Sequence, residues 1–334
     1  MKKILKHLFD HKPLSRIVAR DTLVNTGMGM YNEHEVTAFM TVYLMRSITI
    51  EELQGFRDAL INLAVTTDLE TFKGLDIVGT GGDGKNTFNI STLACFVVAG
   101  AGQHVTKHGN YGASSVSGSS NVMEMLGYKF STDNGKLKSE LEKTNICFLH
   151  APLFHPVLKN VAQIRKNLAM RTFFNMLGPL ANPANPSYQL IGVYSPEMAR
   201  IYNYYLQETG KQFTIVHSLD GYDEISLTGD TKVITQNGEK VMTPEQLGKR
   251  MVSAEDITGG NTIEDATKIF LKIIRGEGTW AQNAVVLANA AMALDATGKY
   301  PDYESSYNAA VESLESGKAN SRLQQLIEMQ TAVS

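Results

Sequence analysis

The sequence predicts an α/β protein, with a small N-terminal helical domain and a larger α/β domain whose mainly parallel sheet is flanked by helices. Through residue 70, apolar side chains recur at helical spacing. From Gly74 onward, short apolar runs alternate with helical segments, which is typical of parallel strands buried on both faces. We expect residues 1–70, joined by part of about 165–185, to form the helical domain, and residues 71–334 to form the α/β domain.

The helical start is predicted from its capping signals as well as its apolar spacing. Ser15 suits the N-cap of the second helix. Asn32 with Glu35, and Thr49 with Glu52, have the spacing of capping boxes at the third and fourth helices. Nothing in this segment suggests chemistry, so we expect it to serve packing or dimerisation.

The α/β part is predicted from short apolar runs between helical segments. The predicted strands are 75–78, 104–107, 146–150, 189–193 and 213–217, and the predicted helices are 92–100, 120–126, 157–168 and 196–209. Asn237-Gly238 predicts the turn of a hairpin within 233–241, and the chain from Thr262 onward is mostly helical. Because ligands gather at the carboxyl ends of parallel strands, we expect the loops that follow these strands to form the site.

Composition sets limits on function. The 334 residues are 43% hydrophobic and 19% charged, which is ordinary for a globular protein, and the net charge of −3 offers no global field for nucleic acid or an anionic membrane. Both cysteines, Cys95 and Cys147, stand in apolar runs and are expected to be buried free thiols. The N-terminal stretch does not have the pattern of a signal peptide, so a cytoplasmic location is expected.

A glycine-rich stretch follows the first predicted strand. Gly79, Gly81, Gly82 and Gly84 fall within six positions, and such a run can aim several N–H groups at one anion. The next helix is expected to begin with Ser91 as N-cap, which would direct its positive end at the same loop. The spacing fits neither a P-loop nor a dinucleotide fingerprint, and a simple tight turn is the other interpretation. The carboxylate and hydroxyl groups here favour a sugar phosphate with a bound metal.

Three further stretches are candidates for binding. Residues 107–120, rich in serine and glycine and starting with Lys107, suit phosphate oxygens or form a solvated polar loop. Asp223-Glu224 is either solvated surface or, beside a diphosphate, a pair of Mg²⁺ ligands. Arg165 and Arg171 are either surface cations or a fork for a substrate carboxylate, and spacing alone leaves both readings open.

Five motifs, taken together and in order, resemble one known family. They are Gly79-Thr80-Gly81-Gly82-Asp83, Asn89-Ile90-Ser91-Thr92, Lys107-His108-Gly109-Asn110, Asn175-x-Leu177-Gly178-Pro179-Leu180-x-Asn182-Pro183 and Asp223-Glu224. In this combination the chain resembles the anthranilate phosphoribosyltransferases of tryptophan biosynthesis over nearly its whole length. The resemblance implies a homodimer with a helical and an α/β domain, a site in the hinge cleft, and anthranilate, 5-phosphoribosyl 1-diphosphate and Mg²⁺ as ligands.

The resemblance also implies roles for individual residues. The donor would be contacted by Gly79, Gly82, Asp83, Thr87, Asn89, Ile90, Ser91, Thr92, Lys107, Ser115 and Ser119. Anthranilate would be met by Gly79, His108, Asn110, Arg165 and Pro179. Magnesium would be held by Ser91, Asp223 and Glu224, and catalysis would depend on Lys107, Asp223 and Glu224.

Two departures and two alternatives accompany the resemblance. The family commonly has Arg-Ala where this chain has Tyr111-Gly112, and a Gly-hydrophobe pair where it has Ala169-Met170. The lost arginine could alter the order of the loop or its affinity for the donor. A pyrimidine-nucleoside-phosphorylase-like enzyme and a non-catalytic nucleic-acid-binding relative are the alternatives. The Asp223-Glu224 pair argues against the first and the net charge of −3 against the second, so no nucleic-acid or membrane partner is expected.

Overall fold

The structure, a computed structural model, describes residues 1–112, 115–248 and 250–331. The chain divides into two compact units. The helical unit consists of Met1–Thr66 and Ala151–Pro183, and the sheet unit consists of Thr67–His150 and Ala184–Ser334. Each unit is therefore built from two separate segments of the chain.

Helices account for all of the regular structure in the helical unit and for the layers around the sheet in the other. The α-helices are α1 Lys2–Phe9, α2 Arg16–Gly27, α3 Glu33–Met45, α4 Ile50–Asn62, α5 Ile90–Gly100, α6 Ser119–Met125, α7 Asn134–Thr144, α8 Ala151–Phe154, α9 Lys159–Leu168, α10 Phe174–Leu177, α11 Pro196–Gln207, α12 Pro244–Gly248, α13 Ile263–Ile274, α14 Trp280–Asp295, α15 Tyr303–Glu315 and α16 Lys318–Thr331. Short 3₁₀ turns lie at Glu70–Phe72, Pro156–Leu158, Gly178–Leu180 and Ala254–Ile257. None of these helices is long and apolar enough to cross a membrane.

The sheet unit contains one seven-stranded sheet in the order β3-β2-β1-β4-β5-β6-β7. Its strands are β1 Leu75–Gly79, β2 Val105–Gly109, β3 Ile146–His150, β4 Tyr188–Gly192, β5 Gln212–Ser218, β6 Thr231–Thr235 and β7 Gly238–Met242. The first five strands pair in parallel, and β6 and β7 add an antiparallel hairpin at one edge. The predicted fold class and the predicted hairpin are both confirmed.

The helical unit packs around a cluster of aromatic side chains. Phe56 stacks on Phe173 with ring centroids 4.5 Å apart, and Phe39 meets Tyr43 and Phe56 edge to face. Phe173 in turn stacks on Phe174 at 4.5 Å. The later segment of the chain thus supplies rings to the interior of the first, because aromatic side chains bury large apolar areas.

The predicted capping of these helices is confirmed. Ser15 accepts a hydrogen bond from the Val18 N–H, and both predicted capping boxes form at the starts of α3 and α4. In the sheet unit, α5 is buried all round and packs against α14, so it forms the centre of the core rather than a surface layer. Cys95 and Cys147 are buried free thiols, as predicted.

Candidate functional site

The site lies at the carboxyl ends of β1 and β4, where the strand order reverses. After β3 the chain crosses to the other side of β1, so β1 stands between β2 and β4. Such a switch point leaves a crevice in which ligands bind. The last residues of the two central strands, Gly79 and Gly192, are partners in the sheet.

These two glycines make room for Asp223. A Cβ on Gly79 would come within 2.9 Å of the Asp223 carboxyl carbon, and one on Gly192 would come within 2.6 Å of its backbone carbonyl carbon. Real Cβ atoms do not approach other heavy atoms so closely, so the loop after β5 reaches the crevice only because both strands end in glycine. Sequence reasoning assigned Gly79 to the substrates and missed Gly192.

Asp223 is buried and holds the start of the glycine loop, which we define as residues 79–87. The Gly81 N–H donates to Asp223 Oδ2 at 2.6 Å. Burial raises the pKa of the Asp223 carboxyl to about 7, and the nearby Asp83 carboxylate also raises it. A nearby charge can therefore change the protonation of the Asp223 carboxyl, and a bound cation would favour its ionised form.

Glu224 lies at the amino end of α5. Its Oε1 accepts a hydrogen bond from the Ser91 N–H at 3.0 Å. Desolvation raises the pKa of Glu224 well above its usual range, and the Asp223 carboxyl raises it further. The prediction of Ser91 as N-cap is wrong: α5 begins at Ile90, its N-cap is Asn89, and a carboxylate from a distant loop satisfies the Ser91 N–H that a local cap would have taken.

Lys107 brings a buried cation to the same place. Its Nζ donates to the Ile77 carbonyl at 2.6 Å and lies 3.4 Å from Ser91 Oγ, and the residue is only 2% exposed. The ammonium therefore lies at the amino end of α5, beside a backbone carbonyl of β1. Burying a cation with these partners is a costly arrangement that is typical of binding sites.

The shape of the glycine loop is set by its glycines and by one internal hydrogen bond. Gly81, Gly82 and Gly84 have φ angles of 67°, 78° and 74°, which favour glycine, so this part of the loop turns tightly around its N–H groups. Inside it, Asp83 Oδ1 accepts from the Lys85 N–H at 2.9 Å.

The end of the loop is paired with residues 257–260, a segment that sequence reasoning missed. Thr87 forms a bridge with Thr258, and the Phe88 N–H donates to the Ile257 carbonyl at 3.2 Å. Asn86 exchanges hydrogen bonds with Gly259 and Gly260, both at 2.7 Å. No pattern in 257–260 signals this contact, because a single isolated bridge has no sequence period.

The serine loop, residues 110–119, follows β2. Asn121 Oδ1 accepts from the Gly112 N–H at 3.0 Å and the Gly118 N–H at 2.9 Å, so one side chain closes the loop. Asn89 Nδ2 donates to the Ser117 carbonyl at 3.2 Å and links the loop to the start of α5, while Asn89 Oδ1 is buried without a partner among the described residues. Ala113 and Ser114 lie outside the described residues.

The other residues predicted for the donor are arranged around these loops. Ser119 Oγ lies 3.4 Å from the Asn110 carbonyl, and Ser115 Oγ lies 3.3 Å from the Ser117 carbonyl. The Ile90 and Thr92 side chains are buried in the first turn of α5. His108, which was predicted for anthranilate, donates its backbone N–H to Asp76 Oδ1 at 3.2 Å.

Tyr111 occupies the place of the arginine that the resembling family commonly has. Its hydroxyl donates to Glu124 Oε1 at 2.7 Å, and its ring meets the His150 ring edge to face at 4.8 Å. The hydrogen bond to Glu124 raises the pKa of Tyr111. An aromatic ring and its hydroxyl thus hold the start of the serine loop.

Arg165 and Pro179 belong to the helical unit. The Arg165 guanidinium lies 5.2 Å from the centroid of the Phe174 ring, and burial lowers its pKa. Within the described part of the chain, the Arg165 guanidinium forms no ion pair with Asp or Glu. It can therefore pair with the anionic group of a ligand. Arg171 is exposed, and Pro179 is buried in a 3₁₀ turn.

The acidic pair is positioned by residues that carry no motif. Asn289, buried in α14, accepts from the Ile225 N–H at 3.1 Å and donates to the Ile225 carbonyl at 2.8 Å. Ser218 Oγ donates to the Glu224 carbonyl at 2.7 Å. The sequence signal that could have pointed to Asn289 is an asparagine within a run of small and apolar residues, where a buried amide needs a hydrogen-bond partner.

The described residues contain no group of three or more His, Cys, Asp and Glu side chains that could hold a metal on their own. Two neighbouring carboxyls, with oxygen ligands completed by a phosphate, fit Mg²⁺, which usually binds through one or two carboxylates together with substrate oxygens. Asp223 and Glu224 provide such a pair. The donor set therefore fits a metal that arrives with a diphosphate.

Comparison with known proteins agrees with this arrangement. The glycosyl transferase family profile for the a/b domain matches residues 72–320, and the profile for the helical bundle domain matches residues 2–64. The anthranilate phosphoribosyltransferase of Flavobacterium johnsoniae is 55% identical over 329 residues, which are 98% of this chain and 99% of that protein.

Solved structures agree as well. A crystal structure of anthranilate phosphoribosyltransferase from Thermus thermophilus superposes with a TM-score of 0.92 at 30% identity, covering 98% of this chain and 99% of the other. The enzyme from Saccharomyces cerevisiae, in complex with PRPP and Mg, superposes with a TM-score of 0.90 at 26% identity, covering 98% and 97%.

Proposed function

The chain belongs to the anthranilate phosphoribosyltransferases, and from that premise we propose how its own residues perform the reaction of that family. The enzyme transfers the phosphoribosyl group of 5-phosphoribosyl 1-diphosphate to the amine of anthranilate. The products are N-(5-phosphoribosyl)anthranilate and diphosphate, in the biosynthesis of tryptophan.

One observation carries the proposal for the donor. At the carboxyl ends of β1 and β4, a glycine loop, a buried ammonium and a buried carboxyl pair come together at the amino end of α5. The contacts are Gly81 to Asp223, Ser91 to Glu224, and Lys107 to Ser91. Backbone N–H groups, a cation and a helix dipole suit diphosphate oxygens, and the carboxyls suit the metal that accompanies them.

The reaction breaks the bond between the ribose C1 and the diphosphate oxygen and forms a bond from C1 to the anthranilate nitrogen. Negative charge grows on the leaving diphosphate while the ribose gains oxocarbenium character. Lys107 and the N–H groups of the glycine loop and α5 stabilise the first charge. The aromatic amine is a neutral –NH₂ group near neutral pH, so its lone pair is free to attack. The nitrogen gives up one of its two protons only after the bond to C1 has formed, so no strong base is needed and catalysis depends on positioning and electrostatics.

Magnesium is part of the proposal. Asp223 and Glu224 would hold it with the donor's oxygens, together with Ser91, whose backbone N–H donates to Glu224 Oε1. When bound, the ion would neutralise charge on the diphosphate and make it a better leaving group. The structure of the Saccharomyces cerevisiae enzyme in complex with PRPP and Mg supports the use of Mg²⁺.

For anthranilate, we assign the carboxylate to Arg165, and contacts to Gly79, His108, Asn110 and Pro179. The support for Arg165 lies within the helical unit: its guanidinium is partly buried on Phe174, and burial lowers its pKa. A planar guanidinium matches a carboxylate with two hydrogen bonds, and removing it from water favours pairing with an anion.

The remaining assignments concern the donor and the whole chain. Gly82, Asp83, Thr87, Asn89, Ile90, Thr92, Ser115 and Ser119 are proposed as donor contacts. We further propose a homodimer formed through residues 1–70, with residues 71–334 holding the donor. Because both substrates are charged small molecules that a membrane would retain, we place the reaction in the cytoplasm.

A fluorescence assay tests the proposal. Anthranilate fluorescence should fall when protein, donor and Mg²⁺ are mixed, and exhaustive chelation should stop the loss. The double variant Asp223→Asn, Glu224→Gln should lower kcat by at least about a hundred-fold, because a metal site acts as a unit. The exposed Glu277→Gln is the matched control and should behave as wild type. Full activity after chelation would refute the metal role of the pair.

A further inference from the structure

A second contact joins the glycine loop to the acidic segment, which we define as residues 219–224. Lys85 Nζ lies 4.5 Å from the centroid of the Tyr222 ring. Tyr222 is only 6% exposed and immediately precedes Asp223. A cation over the face of a largely desolvated ring is attracted by the negative charge of that face. Neither residue has a role in the reaction as described above.

The position of this contact within the loop gives it significance. The loop is held at its start by the bond from the Gly81 N–H to Asp223, and at its end by the pairing of Asn86 and Phe88 with 257–260. Between these anchors lie Gly82 and Gly84, both with positive φ, and glycines are the residues with the most conformational freedom to lose.

Lys85 belongs to this central part of the loop. Its backbone N–H donates to Asp83 Oδ1 at 2.9 Å, so the residue whose side chain reaches Tyr222 is also part of the turn around Asp83. The loop and the acidic segment must be held in one relative position, because the loop offers N–H groups to the diphosphate and the acidic segment offers carboxyls to its metal.

We infer that Lys85 and Tyr222 act together as a positioning pair, which holds the glycine loop against the acidic segment before the donor binds. The inference rests on the proposed function of the site. Preorganisation of this kind lowers the cost of ordering the loop on binding and so strengthens binding of the diphosphate group. Lys85 acts through Tyr222 and does not itself contact the diphosphate.

Four single variants separate this role from a direct one. Lys85→Met and Tyr222→Leu remove the cation and the ring face, whereas Lys85→Arg and Tyr222→Phe keep both. A cation–ring contact at a partly buried site is worth about three- to ten-fold in an equilibrium constant. Lys299→Met is the matched control, since Lys299 lies 6.0 Å from the Tyr300 ring and 3.5 Å from the Gly102 carbonyl, beyond the carboxyl end of α5.

The measurement is calorimetric binding of inorganic diphosphate in the presence of MgCl₂, together with KM for each substrate and kcat. Lys85→Met and Tyr222→Leu should each weaken diphosphate binding and raise the donor KM by about three- to ten-fold, with kcat and the anthranilate KM unchanged. Lys85→Arg, Tyr222→Phe and Lys299→Met should bind as wild type. The thermal midpoint should fall only in Tyr222→Leu, which removes a buried ring from the core, so Lys85→Met tests the contact without a loss of stability.

The double variant Lys85→Met, Tyr222→Leu decides the mechanism. If the two residues act through each other, it should be no weaker than either single variant. Additive losses, a loss in only one single variant, or no loss in either would overturn the inference, and a loss confined to Lys85→Met would mean that its ammonium touches the diphosphate. A wild-type protein that neither binds diphosphate nor consumes anthranilate would instead refute the proposed function, and the positioning role with it.

Discussion

At the scale of single residues, the site depends on atoms that are absent as much as on those that are present. Gly79 and Gly192 end neighbouring strands, and the space left by their missing side chains admits Asp223. The carboxyl then accepts the Gly81 N–H, which fixes the first turn of the glycine loop. We therefore expect donor binding to depend on Gly192, a residue that contacts neither substrate in the proposal.

Replacing Gly192 by alanine tests this dependence. The new Cβ would collide with the backbone carbonyl of Asp223, so the acidic pair must shift. We expect a loss of about 1–3 kcal/mol in the free energy of unfolding and a fall of at least about ten-fold in kcat/KM for the donor. Gly135→Ala, in the first turn of α7, is the control and should keep full activity. Wild-type kinetics for Gly192→Ala would show that Asp223 does not need this space.

Arg165 offers a test of the other substrate. If its guanidinium binds the carboxylate of anthranilate, Arg165→Ala should raise the anthranilate KM by about ten- to a hundred-fold, since a charge-assisted pair contributes roughly 1.5–3 kcal/mol. The donor KM should barely change. Steady-state kinetics with each substrate varied in turn measure both values, and Lys166→Ala, an exposed neighbour on α9, serves as the control. An unchanged anthranilate KM for Arg165→Ala would move the assignment to Arg171.

At the scale of elements, strands and capped helices could be predicted because each carries a local signal. The capping boxes at Asn32 and Thr49 are formed by residues three positions apart, and strands such as β3 and β5 contain short apolar runs. The start of α5 could not be predicted in the same way. The Ser91 N–H, which has no partner within the helix, donates to Glu224, 133 residues further along the chain.

The candidate site follows the same rule. Lys107 and the Asp223-Glu224 pair were candidates because of their residue types and neighbours, and the family resemblance implied their roles. Asn121, Asn289 and the pairing segment 257–260 were missed, because each acts on backbone groups that only the folded chain brings near. Residues that position a site through backbone hydrogen bonds have no spacing that a single sequence reveals.

The start of α4 gives a prediction about pH. Glu52 accepts from Arg46 at 2.5 and 2.9 Å and from the Leu14 N–H at 2.9 Å. Burial acts to raise the pKa of Glu52, but the hydrogen bonds from Arg46, Leu14 and Thr49 outweigh it, and the pKa lies below its ordinary value of 4.5. A carboxyl with a lowered pKa stabilises the fold above its unfolded pKa and loses that contribution as pH falls through the folded value.

We therefore expect Glu52→Gln to lower the free energy of unfolding by about 1.5–3 kcal/mol at neutral pH, because bonds to a charged group are lost. The difference from wild type should shrink as pH falls below about 4.5 and the wild-type carboxyl takes up its proton. Urea unfolding followed by circular dichroism at several pH values measures it. The exposed neighbour Glu51→Gln should show little difference at any pH, and a constant difference for Glu52→Gln would contradict the assigned role.

At the scale of the whole molecule, the exposed apolar side chains of the helical start bear on assembly. Ile17 and Val18 on α2 are 63% and 42% exposed, and Met28 and Met45 are 62% and 85% exposed. Single exposed apolar residues are ordinary, but several within one short segment are what the proposed dimer would cover. A second copy of the same chain is the proposed cover, because most soluble assemblies of one chain are symmetric dimers.

Light scattering should accordingly show a particle of twice the chain mass at micromolar concentration. The double variant Ile17→Glu, Val18→Glu should shift the mass toward that of one chain, because two carboxylates at the centre of the interface would be buried without partners. Tyr204→Glu on α11, a side chain 63% exposed in the sheet unit, is the control and should remain a dimer. A wild-type monomer would refute the dimer, whereas a double variant that stays dimeric would place the interface on another surface of the chain.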